Sequence, residues 1–134
     1  MTPAELRRWL LDVVSELPQH ADELRALDAA LGDGDLGITV SSGARAAHAA
    51  LTELPSDASV TEMVQAVAKA FSTANPSTFA ALVGGGLLAA SKTLRDVSVL
   101  EREHAVAFLR AVIDRIMERG KTQLGEKTII DALV

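Results

Sequence analysis

The sequence has no cysteine, which removes disulfides, zinc–thiolate sites and thiol nucleophiles together. Aromatic residues make up only 3% of it, with a single tryptophan, so any core must be aliphatic. Basic residues are few and scattered. The formal net charge is −5 and no basic stripe offers a footprint for nucleic acid. Long apolar runs are missing too. The longest, Phe79 to Ala90, carries three glycines and falls short of the roughly 20 residues that span a bilayer. The amino terminus MTPAELRRWLLDVV places charges within its first turns, so it does not read as a secretory signal. A reduced cytoplasm fits these absences.

What remains is rich in alanine and leucine, and 49% hydrophobic over 134 residues. That length suits one domain with a real core. Valine and isoleucine fall at helical spacing instead of alternating, which predicts an all-α fold. Thr2-Pro3-Ala4-Glu5 reads as a capping box before an apolar stripe of Leu6, Leu10, Val13, Val14 and Leu17. A second helix is expected from about His20 to Leu31, with Leu24, Leu27 and Leu31 on one face, and a third from about Thr39 to Leu54. Ser59-Val60-Thr61-Glu62 should cap a fourth, with Met63, Val64, Val67 and Phe71 inward. A fifth runs through FAALVGGGLLAASKTL, with Phe79, Leu82, Val83, Leu87 and Leu94 inward. Ser98-Val99-Leu100-Glu101 reads as the cap of the sixth, whose stripe is Val106, Leu109, Val112, Ile113, Ile116 and Met117, ending at Gly120. A new amphipathic segment opens at about Thr128. About six helices with short loops imply an antiparallel bundle.

One stretch departs from this plain pattern. LDAALGDGDLGITV, Leu27 to Val40, gathers three aspartates and three glycines. Asp28 would face the negative end of its own helix dipole, a cost of roughly 0.3–1 kcal/mol. Asp33 and Asp35 follow in a loop around Gly34. Three carboxylates so close repel one another unless a cation sits between them. Oxygen-only ligands suit Mg²⁺ or Ca²⁺. An EF-hand starting at Asp33 would need Gly where Ile38 stands and Glu where Ala44 stands, so a dedicated calcium loop is not indicated. Mg²⁺ commonly shares its ligands with phosphates, and the helix expected next offers free amides for them. The competing reading is a solvated Asp/Gly turn between two helices.

Other residues read more blandly. His20, His48 and His104 lack metal-like spacing and suit the surface. Gly84-Gly85-Gly86 suits close helix packing, or else a bend or ligand approach. Lys121 and Lys127 could meet phosphate but suit a solvated pair, and Trp9 suits a rim or interface.

Three segments together resemble the nucleotide-binding L subunit, or L domain, of dihydroxyacetone kinases. LDAALGDGDLG is similar to that family's metal loop, and MERGKTQLGEKTIIDALV to its segment RGKxxxGDKTxxDAL. ANPSTFAALVGGGLLAA is a looser match to its small-residue phosphate segment. The resemblance implies an α-helical barrel, usually of eight helices, of which this chain carries an incomplete version lacking the C-terminal helices. It implies ADP or ATP held at one end, with two Mg²⁺ ions on Asp28, Asp33 and Asp35. Leu36, Gly37, Ile38 and Thr39 would contact phosphate through backbone amides and the Thr39 hydroxyl. Ser77 and Thr78 match the phosphate side, and Gly120 and Ile129 match positions beside the adenine. Leu36 stands where the family often has His, Asn75 and Pro76 replace part of a glycine-rich run, and Glu126 stands where the family shows Asp.

The activity so implied is phosphoryl transfer to a hydroxyl of a small ketose held by a partner K subunit, with no catalytic side chain from this chain. The nucleotide is either consumed as ATP or kept as ADP and rephosphorylated by a phosphocarrier protein. A homodimer is compatible with it. The alternative is a non-catalytic truncated helical module that serves in assembly with a K-type partner.

Overall fold

The computed structural model describes residues 1–30, 32–121, 125 and 129–134. Its described residues form helices and no strands. In chain order these are α1 (Pro3–Glu16), α2 (Ala21–Ala29), α3 (Leu36–Glu53), α4 (Val60–Ala74), α5 (Thr78–Ala90), α6 (Arg102–Gly120) and α7 (Ile129–Leu133). Short 3₁₀ turns at Leu17–His20 and Ser91–Leu94 link α1 to α2 and extend α5. The six expected helices are there, and the seventh is the short segment that opens near Thr128. No helix among the described residues is long and apolar enough to cross a membrane.

Sequential neighbours pack on one another from α2 through α7, and α1 lies against α3. Short connections between packed neighbours make this an up-and-down helical bundle. Two apolar clusters hold it. Leu6, Val14, Ala44, Ala47, Leu51, Val60, Met63 and Leu94 form the larger. Ala90, Val112, Ile116 and Ile130 form the smaller, and Phe108 packs against both. Burying a side chain such as Leu51 or Met63 contributes about 1.5–3 kcal/mol each. Between the clusters lies a wholly apolar cavity of about 410 Å³, lined among others by Val40, Val67, Phe71, Phe79, Val83 and Ile129.

The caps explain several boundaries. Thr2 accepts the Glu5 amide at 3.2 Å, and Ser59 with Glu62 forms the full reciprocal box. The cap expected at Ser98 is displaced by three residues. Glu101 caps α6, and the His104 ring accepts the Glu101 amide at 3.0 Å. The Met1 amine donates to the Leu100 carbonyl and the Leu100 amide to the Met1 carbonyl, so Leu100 is held out of the helix.

Two expected faces need correction. Leu27 is 67% exposed and α2 buries no residue, because only one side of this helix meets α3. Leu31, expected on the same face, lies outside the described residues. Val106 and Leu109 are exposed, since the α6 stripe meets α5 through Val112 and Ile116 instead. On α5 the buried positions are Ala80, Gly84, Gly86 and Ala90, while Phe79, Val83 and Leu87 line the cavity. A Cβ on Gly84 would come within 2.6 Å of Ser72 Cβ, and one on Gly86 within 3.0 Å of Ile116. These glycines let α5 pack closely on α4 and α6. The middle one, Gly85, faces open space.

Candidate metal and phosphate site

The last turn of α2 carries Asp28 towards the first turn of α3. The Gly32 amide returns to the Asp28 carbonyl at 2.6 Å, closing α2. Gly34 then takes φ +78°, a left-handed conformation that costs glycine little. That reversal brings the chain back, so α3 starts at Leu36, three residues earlier than its apolar pattern suggests. Asp35 is the residue before α3, yet its side chain makes no capping bond. Asp28 supplies the cap from the other helix: its Oδ2 accepts the Leu36 amide at 3.2 Å. The Asp33 Oδ1 accepts the Asp35 amide at a long 3.4 Å.

The outcome is convergence. One carboxylate oxygen from each of Asp28, Asp33 and Asp35 lies within 4.8 Å of the others. Asp28 is half-buried and the other two are exposed. Among the described residues no lysine or arginine pairs with them, and the acid–base contacts there join His20 to Glu16 and Glu23, ion pairs only when the imidazole is protonated. Asp35 records the crowding. Its carboxyl is held above the ordinary carboxylate range by its hydrogen bond with the Asp33 carboxyl, then by slight desolvation and the charges of Asp33 and Asp28. A donor set of three carboxylate oxygens fits a hard divalent cation.

The first turn of α3 adjoins this trio. The Leu36 amide is taken by Asp28 and the Thr39 amide bonds the Asp35 carbonyl at 3.0 Å. The amides of Gly37 and Ile38, early in the helix, lack such partners among the described residues. Ile38 is 63% exposed, whereas Thr39 is 5% exposed. Gly37 is fixed by close approach: a Cβ there would sit 2.1 Å from the Ala21 carbonyl oxygen. The glycine that admits α2 onto α3 is thus also the second residue of the amide-bearing turn.

The remaining expected residues cluster at the same end, because up-and-down packing puts the starts of α3, α5 and α7 beside the ends of α2, α4 and α6. Ser77 N-caps α5, its Oγ accepting the Ala80 amide at 3.3 Å, so that hydroxyl serves the helix. Thr78 opens α5 and is exposed. It shares a groove of about 300 Å³ with Gly85, Arg115 and Arg119, next to Gly120 at the end of α6. Ile129 lines the apolar interior with Phe79 and Val83. Lys121, φ 52°, ends α6 in the open, whereas Glu126 and Lys127 lie outside the described residues.

Two residues escaped sequence reasoning. The Asn75 side chain donates to the Thr39 carbonyl at 3.3 Å, joining the α4–α5 connection to the first turn of α3. Arg119 lines the same groove as Thr78. Asn directly before Pro, in a break between helices, was the available signal for the first. For the second there was none.

The profile of the DAK2 domain matches residues 30–134. The chain belongs to the DAK2 domain family. It is 31% identical over 124 residues to the PEP-dependent dihydroxyacetone kinase 1, ADP-binding subunit DhaL, of Listeria innocua, covering 92% of this chain and 62% of that one. The PTS-dependent dihydroxyacetone kinase, ADP-binding subunit DhaL, of Lactococcus lactis is 30% identical over 123 residues, 92% of this chain and 61% of its own. The L-erythrulose 1-kinase of Mycolicibacterium smegmatis is 35% identical over 113 residues, 84% of this chain but 20% of the longer protein. This DAK2 domain therefore spans about three-fifths of the DhaL subunits and a fifth of the larger kinase. No solved structure matches it significantly. Its DhaL-type character agrees with the resemblance read from the metal loop, and its all-helical bundle with the expected fold.

Proposed function

We propose that residues 1–134 form the Mg-nucleotide-binding domain of a dihydroxyacetone-type kinase. The observation that carries this reading is the convergence of three uncompensated carboxylates beside the free amides of a helix start. Asp28, Asp33 and Asp35 would hold two Mg²⁺ ions, and the amides of Gly37 and Ile38 would receive phosphate oxygens of ADP or ATP. When bound, the metal supplies charge neutralisation for the phosphates. The chain's own residues then do three things. The carboxylates fix the cations, the first turn of α3 orients the phosphates, and Thr78 with Gly120 and Ile129 bounds the nucleotide side.

Phosphoryl transfer asks little covalent chemistry of a protein, so positioning and charge suffice without a nucleophile here. The acceptor would be a hydroxyl of a small ketose held by a K-type partner subunit in the cytoplasm. The relatives' names support both a kinase role and ADP as the ligand. Two relatives' names mention PEP and PTS and others name a kinase alone, so this reading includes both held ADP rephosphorylated by a phosphocarrier and consumption of ATP. A homodimer is compatible with this reading. A second reading, an assembly module without catalysis, is favoured by Leu36, which puts an apolar side chain where the family often has His.

Calorimetric titration with Mg-ADP separates the two. Micromolar binding that disappears in Asp33→Asn is expected. Absence of heat with the wild-type chain, with and without Mg²⁺, overturns the kinase reading and leaves the module.

A further inference from the structure

We propose that Asn75 is a positioning residue that locks the phosphate side of the site to its metal side. The inference rests on the nucleotide reading above and adds a residue that the reading does not use.

Only Asn75, Pro76 and Ser77 separate α4 from α5. Pro76 holds its predecessor out of the helical region, and Asn75 is accordingly extended, φ −142° and ψ 145°. The Ser77 amide bonds the Asn75 carbonyl at 2.9 Å, and Ser77 then caps α5. The direction in which α5 presents Thr78 thus depends on where Asn75 is anchored.

The anchor is on α3. Asn75 Nδ2 donates to the Thr39 carbonyl at 3.3 Å, in a half-buried setting and across 36 positions of sequence. Among the described residues it is the only side-chain hydrogen bond between the first turn of α3 and the α4–α5 connection. Thr39 in turn bonds the Asp35 carbonyl through its amide. One continuous path of hydrogen bonds therefore runs from the acidic trio through Thr39 and Asn75 to Ser77. A second observation supports the register. One turn along α3, a Cβ on Gly43 would lie 2.5 Å from the Phe71 ring, so α3 and α4 touch closely where Asn75 crosses.

A diphosphate spanning both sides gains from a frame set before it arrives, because less ordering is left to the binding step. A metal ion on the trio alone needs no such frame, since its ligands come from the last turn of α2 and the loop that leads to α3. Loss of the Asn75 amide should therefore weaken the nucleotide and spare the metal.

The experiment titrates wild type, Asn75→Ala and Asn75→Ser with Mg-ADP, and separately with Mn²⁺ alone, at matched folded fraction. Either variant is expected to weaken Mg-ADP by about 2- to 10-fold, the worth of one net hydrogen bond, with Mn²⁺ affinity unchanged. Asn75→Gln, whose amide can still reach a carbonyl, should recover part of the loss. Wild-type Mg-ADP affinity in both variants overturns the inference and leaves the nucleotide reading standing. Equal losses for Mg-ADP and Mn²⁺ mark a general structural role and overturn it as well. Failure of the wild-type chain to bind Mg-ADP overturns the nucleotide reading, and this inference with it. Should Asn75→Ala not fold, the serine variant gives the same comparison with a side chain that keeps a donor but cannot reach Thr39.

Discussion

Asp28 Oδ2 and the Leu36 amide lie 3.2 Å apart, so a residue of the α2 terminus caps the start of α3. One carboxylate therefore has two tasks: it completes a helix and faces the other acids. The tasks come apart by substitution. Asp28→Ala removes the cap and should cost about 0.5–2 kcal/mol of metal-free stability. Asp28→Asn keeps an acceptor for the Leu36 amide and should cost less. Both should lose divalent-ion binding. Urea unfolding without metal checks the first pair of statements. Equal destabilisation by Ala and Asn would show that the cap contributes nothing.

Asp35 gives a pH signature. Its carboxyl is ordinarily near 3.8 and is raised in the fold, chiefly by its hydrogen bond with the Asp33 carboxyl. The folded state then binds this proton more tightly than the unfolded state does. Its stabilising contribution is complete below the unfolded value and is lost as pH rises through the folded one. Metal-free wild type should thus lose stability over that window relative to Asp35→Asn, whose curve lacks the step. Thermal unfolding of both proteins at a series of pH values in chelator is the measurement, and parallel curves refute the assignment. Excess Mg²⁺ should reverse the loss at neutral pH.

The glycines of the site and of α5 predict opposite signs for one type of change. Gly37→Ala puts a Cβ 2.1 Å from the Ala21 carbonyl oxygen, which is backbone and cannot turn aside. Overpacking of this kind costs about 1–3 kcal/mol, and here it also displaces the start of α3 from α2. Gly85→Ala meets nothing within 4 Å. In a helix interior it should stabilise by about 0.5–1 kcal/mol. Denaturant unfolding of both variants tests the contrast. A destabilised Gly85→Ala would mean that the α5–α6 groove is closed in solution.

Most of the fold was legible because helical periodicity and caps are local signals. Ser59 with Glu62 shows both at once, in sequence and in structure. The failures share a cause. Glu101 displaced Ser98 as the α6 cap because Leu100 is tied to Met1, a contact across 99 positions that no local pattern encodes. Leu27 looked inward because its spacing was right, but α2 has a neighbour on one side only. The acidic trio was visible as composition, whereas its closure depends on the left-handed turn at Gly34 and the cross-helix cap from Asp28. Asn75 was read merely as a departure from a glycine-rich pattern. Its partner Thr39 is distant in sequence, so its role emerges only once α3 and α4 are packed.

The far end of the bundle provides a control on all of these. The Arg7 guanidinium donates to the Leu54 carbonyl at 2.9 Å and to the Pro55 carbonyl, clamping α1 onto the end of α3. Two charge-assisted bonds from one planar fork are not reproduced by an ammonium. Arg7→Ala should destabilise by about 1.5–3 kcal/mol, and Arg7→Lys by a smaller amount. Because α3 separates this clamp from the acidic trio by its full length, Mg-ADP affinity measured where both variants remain folded should stay unchanged. A loss of affinity at Arg7 would mean that α3 moves as a rigid lever and that stability and binding are coupled along it. Unchanged affinity would confine the nucleotide effects of Asp28 and Asn75 to the site end of the helix.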